Sequence, residues 1–92
     1  MTERQKDMLV QIAKNWLELI GNNSYYTIRD SNTSEAEFEE HIQFIEALFD
    51  LQANGYIVIK ANSPNMMNIQ MMHFTNIALT QKGKEFLANS PS

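Results

Sequence analysis

Residues 54–60 read Asn-Gly-Tyr-Ile-Val-Ile-Lys, and this stretch decides how the chain is organised. Gly55 tolerates the left-handed backbone with which many helices end, so it marks the end of the element before it. Tyr56–Lys60 is rich in β-branched and aromatic residues, which is typical of a strand. We therefore predict a helix that ends at Asn54-Gly55 and passes directly into a β-strand.

The predicted helix upstream, helix 2, begins at a capping box. Ser34 and Glu37 have the spacing in which the N-cap and the third helical residue exchange hydrogen bonds. Before it, Tyr25–Ile28 predicts a short strand within the polar interval 22–33. One face of helix 2 is apolar and is predicted to enter the core through Phe38, Ile42, Ile45, Leu48 and Phe49.

A first helix, helix 1, is predicted between a capping box at Thr2 and Gln5 and a terminating Gly21. Its apolar positions span an arc of about 200°, wider than the single stripe that a helix needs on one core. We therefore expect helix 1 to be covered on two sides, the second cover being another subunit. The positions are Met8, Leu9, Val10, Ile12, Ala13, Trp16, Leu17, Leu19 and Ile20.

Downstream, residues 61–68 are predicted to be a loop and Ile69–Leu79 a second strand of a β-hairpin. Simple alternation puts Ile77 on one side of this strand and Met72 and Phe74 on the other. Thr80 is predicted to cap a short last helix over 81–88. The predicted core, expected to be almost fully buried, is Trp16, Ile42, Ile45, Phe49, Ile57 and Leu79.

Length and composition predict one domain over residues 1–89 with a disordered tail at 90–92. The chain has 92 residues, 43% of them hydrophobic, and no cysteine, which excludes disulfides and thiol chemistry. No apolar run approaches the about 20 residues that span a membrane, and the first residues lack the apolar core of a secretory signal. We expect a cytoplasmic protein with no membrane contact.

Two segments carry a resemblance to a known superfamily. One is Phe38–Ile57, in which a helix runs into Gly-Tyr-Ile, and the other is Ile77–Leu87, which contains Leu-Thr-Gln-Lys-Gly-Lys-Glu-Phe-Leu. Both resemble parts of winged-helix (winged helix-turn-helix-like) regulators, among them small prophage-encoded YjcQ-like proteins. The resemblance implies an α+β fold: helix 1, short strand, long helix 2, two-stranded hairpin wing and short C-terminal helix. In one respect the chain departs from the pattern, because Asn22–Thr33 leaves room for at most one turn of the usual second helix.

Acidic residues are concentrated on helix 2. The net charge is −4, and Asp30–Ile59 holds seven acids but no lysine or arginine. Four of these acids fall in a stripe about 60° wide on the helix surface, and a glutamine fills the row. Three interpretations are open: a solvated helix face, a docking face for a basic protein, or a mimic of a row of phosphates. The row is Glu35, Glu39, Gln43, Glu46 and Asp50.

Two further surfaces are predicted. An apolar one, formed by Val10, Leu17, Met66, Met67, Met72 and Phe74, favours a homodimer or another protein contact; the alternative is that these residues only fill the domain's own core. The basic residues Arg29, Lys60, Lys82 and Lys84 could contact a nucleic-acid backbone, although a solvated face is the simpler interpretation.

No motif for catalysis or for cofactor binding is present. The chain lacks phosphate-binding glycine loops and a nucleophile elbow, and His41 and His73 have no metal-ligand spacing. We therefore predict no enzyme, metal, cofactor or evident small-molecule ligand. The leading hypothesis is a regulatory or accessory module of mobile-element type that binds a protein; the alternatives are a DNA-binding transcription regulator and an acidic nucleic-acid mimic.

Overall fold

The computed structural model describes residues 1–21, 23–66 and 68–89, without the side chains of Asn65 and Met66. The predicted tail, 90–92, lies outside the described residues. The α+β class and the order of elements are confirmed. The elements are α1 (Glu3–Ile20), β1 (Tyr25–Arg29), α2 (Glu35–Ala53), β2 (Ile57–Asn62), β3 (Asn65–Met66), β4 (Ile69–Leu79) and α3 (Gln81–Asn89).

The predicted helix ends are confirmed. Both capping boxes form, at Thr2 for α1 and at Ser34 for α2. Gly21 and Gly55 adopt the left-handed backbone, with φ of 118° and 83°. At the last helix, the Thr80 hydroxyl accepts a hydrogen bond from the backbone N–H of Gly83 at 3.2 Å.

The sheet is antiparallel in the order β1-β4-β2, with the two-residue β3 paired to the beginning of β4. The predicted loop 61–68 is therefore too long, because β2 continues to Asn62 and β3 lies within it. β1 forms a third strand beside the hairpin, in the interval where a helix-turn-helix has its second helix. The order helix, strand, helix, hairpin remains compatible with a winged helix.

A β-bulge reverses the faces of β4. Lys60 pairs with Asn76 and the next residue, Ala61, pairs with Phe74, so Thr75 is an extra residue in β4. An extra residue breaks the alternation of side chains, and the residues beyond it exchange faces. The prediction that Phe74 faces away from Ile77 is therefore wrong: both are in the core, at 0% and 2% exposure.

Helix α1 is broken at Asn15, whose backbone is extended (φ −166°, ψ 103°). The Asn15 side chain compensates, because its Oδ1 accepts a hydrogen bond from the Leu17 N–H at 3.1 Å. On the other side of the break, the Gln11 amide donates to the Asn15 carbonyl oxygen at 3.1 Å. The predicted 200° arc assumed one regular helix, so it does not describe a continuous surface.

The core lies between the sheet and the two long helices. All three helices contact the same side of the sheet, and Val58 on the other side is 50% exposed. Of the six predicted core residues, only Ile57 is fully buried; Trp16, Ile42, Ile45, Phe49 and Leu79 are partly buried. The reason is that α1 packs against the central strand β4, so the core lies closer to α1 than the sequence predicted. The buried apolar residues are Met8, Leu9, Ile12, Ile20, Leu48, Leu51, Ile57, Phe74 and Ile77.

Candidate interaction surface

The five residues of the predicted acidic row, Glu35, Glu39, Gln43, Glu46 and Asp50, are all exposed on α2. They lie on the side of the helix away from Leu48 and Leu51, the α2 residues that are fully buried. Glu35 forms an ion pair with Arg29 at 3.0 Å. In the described part of the chain the other three acids have no ion-pair partner. The row is thus a largely uncompensated negative surface.

The four predicted backbone-phosphate contacts are not assembled into one patch. Arg29 is held by Glu35 and stacks over the Phe38 ring, 4.6 Å from its centroid. Lys60 lies on the other side of β4, beside Asn76, whereas Arg29 pairs with Gln70. Six residues along β4 correspond to about 20 Å. Arg29 and Lys60 therefore face different regions of any ligand.

Lys82 has a structural contact that the sequence interpretation missed. Its Nζ donates to the Asn54 carbonyl oxygen at 2.7 Å and lies 4.5 Å from the centre of the Tyr56 ring. A cation at the carbonyl end of a helix is favourable, because the helix dipole is negative there. Lys82 therefore caps α2, and of the four bases only Lys60 and Lys84 are exposed without a described partner.

The predicted apolar surface is only partly present. Val10 is 37% exposed and Leu17 is partly buried, in agreement with a surface position. Phe74 is fully buried and Met72 packs against the core, because the bulge turns both inward. The Phe74 assignment is therefore wrong, whereas Met72 is partly buried, as Leu17 is. Met67 and the side chain of Met66 lie outside the described residues.

Both histidines are partly buried. The Nδ1–H of His41 donates to the Ile28 carbonyl oxygen at 2.9 Å, which ties α2 to β1. His73 stacks on Tyr25 with ring centroids 4.5 Å apart. Among the described residues, no group of three His, Asp or Glu side chains could hold a metal ion.

Aromatic side chains join β1 to α2 on the side of the helix opposite the acidic row. Tyr26 stacks on Phe44, with centroids 4.6 Å apart, and meets His41 edge-on. Burial raises the pKa of the Tyr26 phenol above 10.0, although the charge of Arg4 acts in the opposite direction. The neutral phenol is thus favoured, and the cluster connects β1 to α2.

A groove between α1 and α2 was not foreseen from the sequence. It has a volume of about 740 Å³ and is lined by Arg4, Asp7, Met8, Gln11, Glu18, Leu19 and Phe44. The break at Asn15 shapes it, since Glu18 and Leu19 belong to the segment after the break. A possible signal was Asn15 itself, because asparagine favours helix ends over helix interiors.

Comparison of the chain with protein-family models, with curated proteins and with solved structures finds no match. Within the described ranges, no helix combines the length and the apolar character that crossing a membrane requires.

Proposed function

We propose that this chain is a non-enzymatic, winged-helix-like interaction module that binds a protein with a basic surface, in the cytoplasm. The resemblance of residues 38–57 and 77–87 to YjcQ-like proteins supports a regulatory or accessory role of phage or mobile-element type. No metal, cofactor or small-molecule ligand takes part in this proposal.

The observation that carries the proposal is the exposed acidic row of α2. Three of its acids, Glu39, Glu46 and Asp50, have no ion-pair partner among the described residues. Such a charged surface raises the rate at which an oppositely charged protein associates and disfavours like-charged partners. The partner is therefore expected to present lysine or arginine side chains to α2.

A DNA-binding transcription regulator is the alternative, and the helix-strand-helix-hairpin order favours it. The charges oppose it. In that role α2 would meet the major groove, where its carboxylates would repel phosphates, and neutralisation of phosphates supplies most non-specific affinity. Mimicry of a phosphate row is a sharper form of the protein-partner proposal, in which the partner is itself a nucleic-acid-binding protein.

A fluorescence-anisotropy titration separates the two classes. We expect no duplex DNA, of mixed sequence or from a genomic library, to bind with a Kd below about 100 nM at about 150 mM salt, since four phosphate contacts give only weak affinity. A tighter duplex would overturn the protein-partner proposal. In that event, changing the row acids to amides should strengthen DNA binding.

Capture of a partner from a bacterial lysate, with and without nuclease, tests the row itself. A basic protein retained after nuclease treatment should be lost with the Glu39→Gln/Glu46→Gln variant. The matched control is Glu3→Gln/Glu85→Gln, which removes the same charge from exposed positions on α1 and α3. Equal loss with both variants would mean that only net charge matters and that the row is merely solvated.

A further inference from the structure

We infer that the groove between α1 and α2 receives an apolar side chain from a basic, amphipathic segment of the protein partner. This inference rests on the proposed function and states what the partner must present. It concerns the volume of about 740 Å³ whose floor is formed by Met8, Leu19 and Phe44.

The shape of the groove suits a side-chain anchor. The groove has a volume of about 740 Å³ and is widely open to solvent, so it can receive a side chain but does not enclose a whole ligand. Leu19 and Phe44 pack against the core from below yet remain partly exposed. Gln11 holds the wall of the groove in place, because its amide group bridges the Asn15 carbonyl oxygen and a Glu18 carboxylate oxygen, each at 3.1 Å. The groove is therefore preformed, and an apolar group entering it loses contact with water without disturbing the core.

The charges around the floor select a basic segment. Asp7 and Glu18 are exposed on the α1 side, and Glu40 is exposed on the α2 side. Arg4 is the one base of the lining, and it is already paired with Glu40 while lying 5.9 Å from the centre of the Phe44 ring. Within the lining two acids face one base, which leaves an excess of one negative charge around an apolar floor.

On α2 the groove and the acidic row are separated by about a quarter of a turn. At 100° per residue, Gln43 lies about 60° and Glu39 about 100° around α2 from Glu40. A segment with an apolar residue in the groove therefore has its flanking bases within reach of Asp7 and Glu18 on the α1 side and of Glu40 on the α2 side. A second copy of this chain is a poorer occupant than a basic segment, because the chain has seven lysines and arginines against eleven acids.

The probes are two fluorescein-labelled peptides of 14 residues. One has leucine and lysine at the spacing of an amphipathic helix; the other has serine in place of every leucine. At about 150 mM salt we expect the leucine peptide to bind at least about tenfold more tightly, since it buries apolar surface. The methyl NMR signals of Met8 and Leu19 should shift in that titration.

Variants locate the contact. Asp7→Asn/Glu18→Gln should weaken the leucine peptide about fivefold, whereas Glu3→Gln/Glu85→Gln, with the same change in net charge, should leave it unchanged. The four side chains are exposed, and unchanged circular dichroism verifies the fold.

Three results would overturn the inference. Equal binding of the two peptides, weakened only by Glu39→Gln/Glu46→Gln, would mean that the acidic row docks a basic partner without the groove, so the proposed function would stand. If neither peptide binds, the groove is not a binding site for the partner. If the lysate capture fails as well, the proposed function is also wrong. A dimer in sedimentation that Asp7→Asn/Glu18→Gln dissociates would show that the occupant is a second copy.

Discussion

Gly83 of α3 lies directly against the carbonyl oxygen of Tyr56, which immediately precedes β2, and a β-carbon at Gly83 would fall well inside van der Waals contact with that oxygen. The same oxygen accepts the Thr80 N–H at 3.0 Å, and the Thr80 hydroxyl donates to the Gly55 carbonyl oxygen. The first turn of α3 is therefore locked onto the turn that joins α2 to β2.

Gly83→Ala should lower the free energy of unfolding by about 1–3 kcal/mol, because the obstacle is backbone and cannot rotate away. Urea denaturation measures the change. Lys84→Ala, at the next and exposed position, should stay within about 0.5 kcal/mol. A Gly83→Ala protein as stable as the parent would mean that α3 does not approach β2 this closely.

Phe74 and Phe49 provide a test of the bulge in β4. Phe74→Ala should lower the free energy of unfolding by about 3–5 kcal/mol, because the side chain is completely buried. Phe49→Ala should cost at least about 1 kcal/mol less, since Phe49 is only partly buried. Thermal unfolding of the two variants side by side gives the order. The reverse order would return Phe74 to the outer face and Phe49 to the core.

Asp30 should make stability depend on pH. A hydrogen bond from the Asn32 N–H and another from the Thr33 hydroxyl hold the pKa of the Asp30 carboxyl below 3.8. Because the folded pKa is the lower one, the stabilisation is complete above 3.8 and is lost as the pH falls through the folded pKa.

Urea midpoints measured from about pH 5 to about pH 2.5 should therefore fall less for Asp30→Asn than for the parent. Asp50→Asn is the control, because the Asp50 carboxylate has no described hydrogen-bond partner. Parallel curves for the parent and Asp30→Asn would show that this turn contributes nothing to acid sensitivity.

Homodimerisation stays a prediction, and it now rests on α1 alone. Val10 and Ala13 are exposed on α1 before the break at Asn15, with Val10 37% exposed, and Leu17 is partly buried after it. Val10→Glu should dissociate the dimer in sedimentation. Val58→Glu, at an apolar position that is 50% exposed on the sheet, should not. A monomer at all concentrations, with every crystal contact burying well under about 1,000 Å², would contradict the prediction.

Local signals predicted the elements well. The capping boxes at Thr2 and Ser34 form between residues within one turn of each other, and so does the helix end at Gly55. Their chemistry is therefore visible in the sequence. The limits of β4 could likewise be predicted, because a long alternating stretch is distinctive.

The core and the candidate site were harder to predict because they depend on contacts between distant elements. The extra residue Thr75 is visible only from the pairing of β2 with β4. The break at Asn15 depends on side-chain bonds that replace helical ones, and the groove exists only once Leu19 meets Phe44 of another helix. Exposure of the acidic row followed from helical spacing alone.

The bulge at Thr75 also makes the architecture sensitive to parity. Whether a side chain of β4 before the bulge is exposed or buried depends on whether an odd or an even number of residues separates it from Leu79. Removal of Thr75 would leave Phe74 two positions from Ile77, so ordinary alternation would keep both in the core and Met71 and His73 on the outer face, whereas removal of two residues would exchange the faces of that half of the strand. The strand can therefore lose the one extra residue of the bulge without exchanging its faces, and any further change in length keeps the faces only in steps of two.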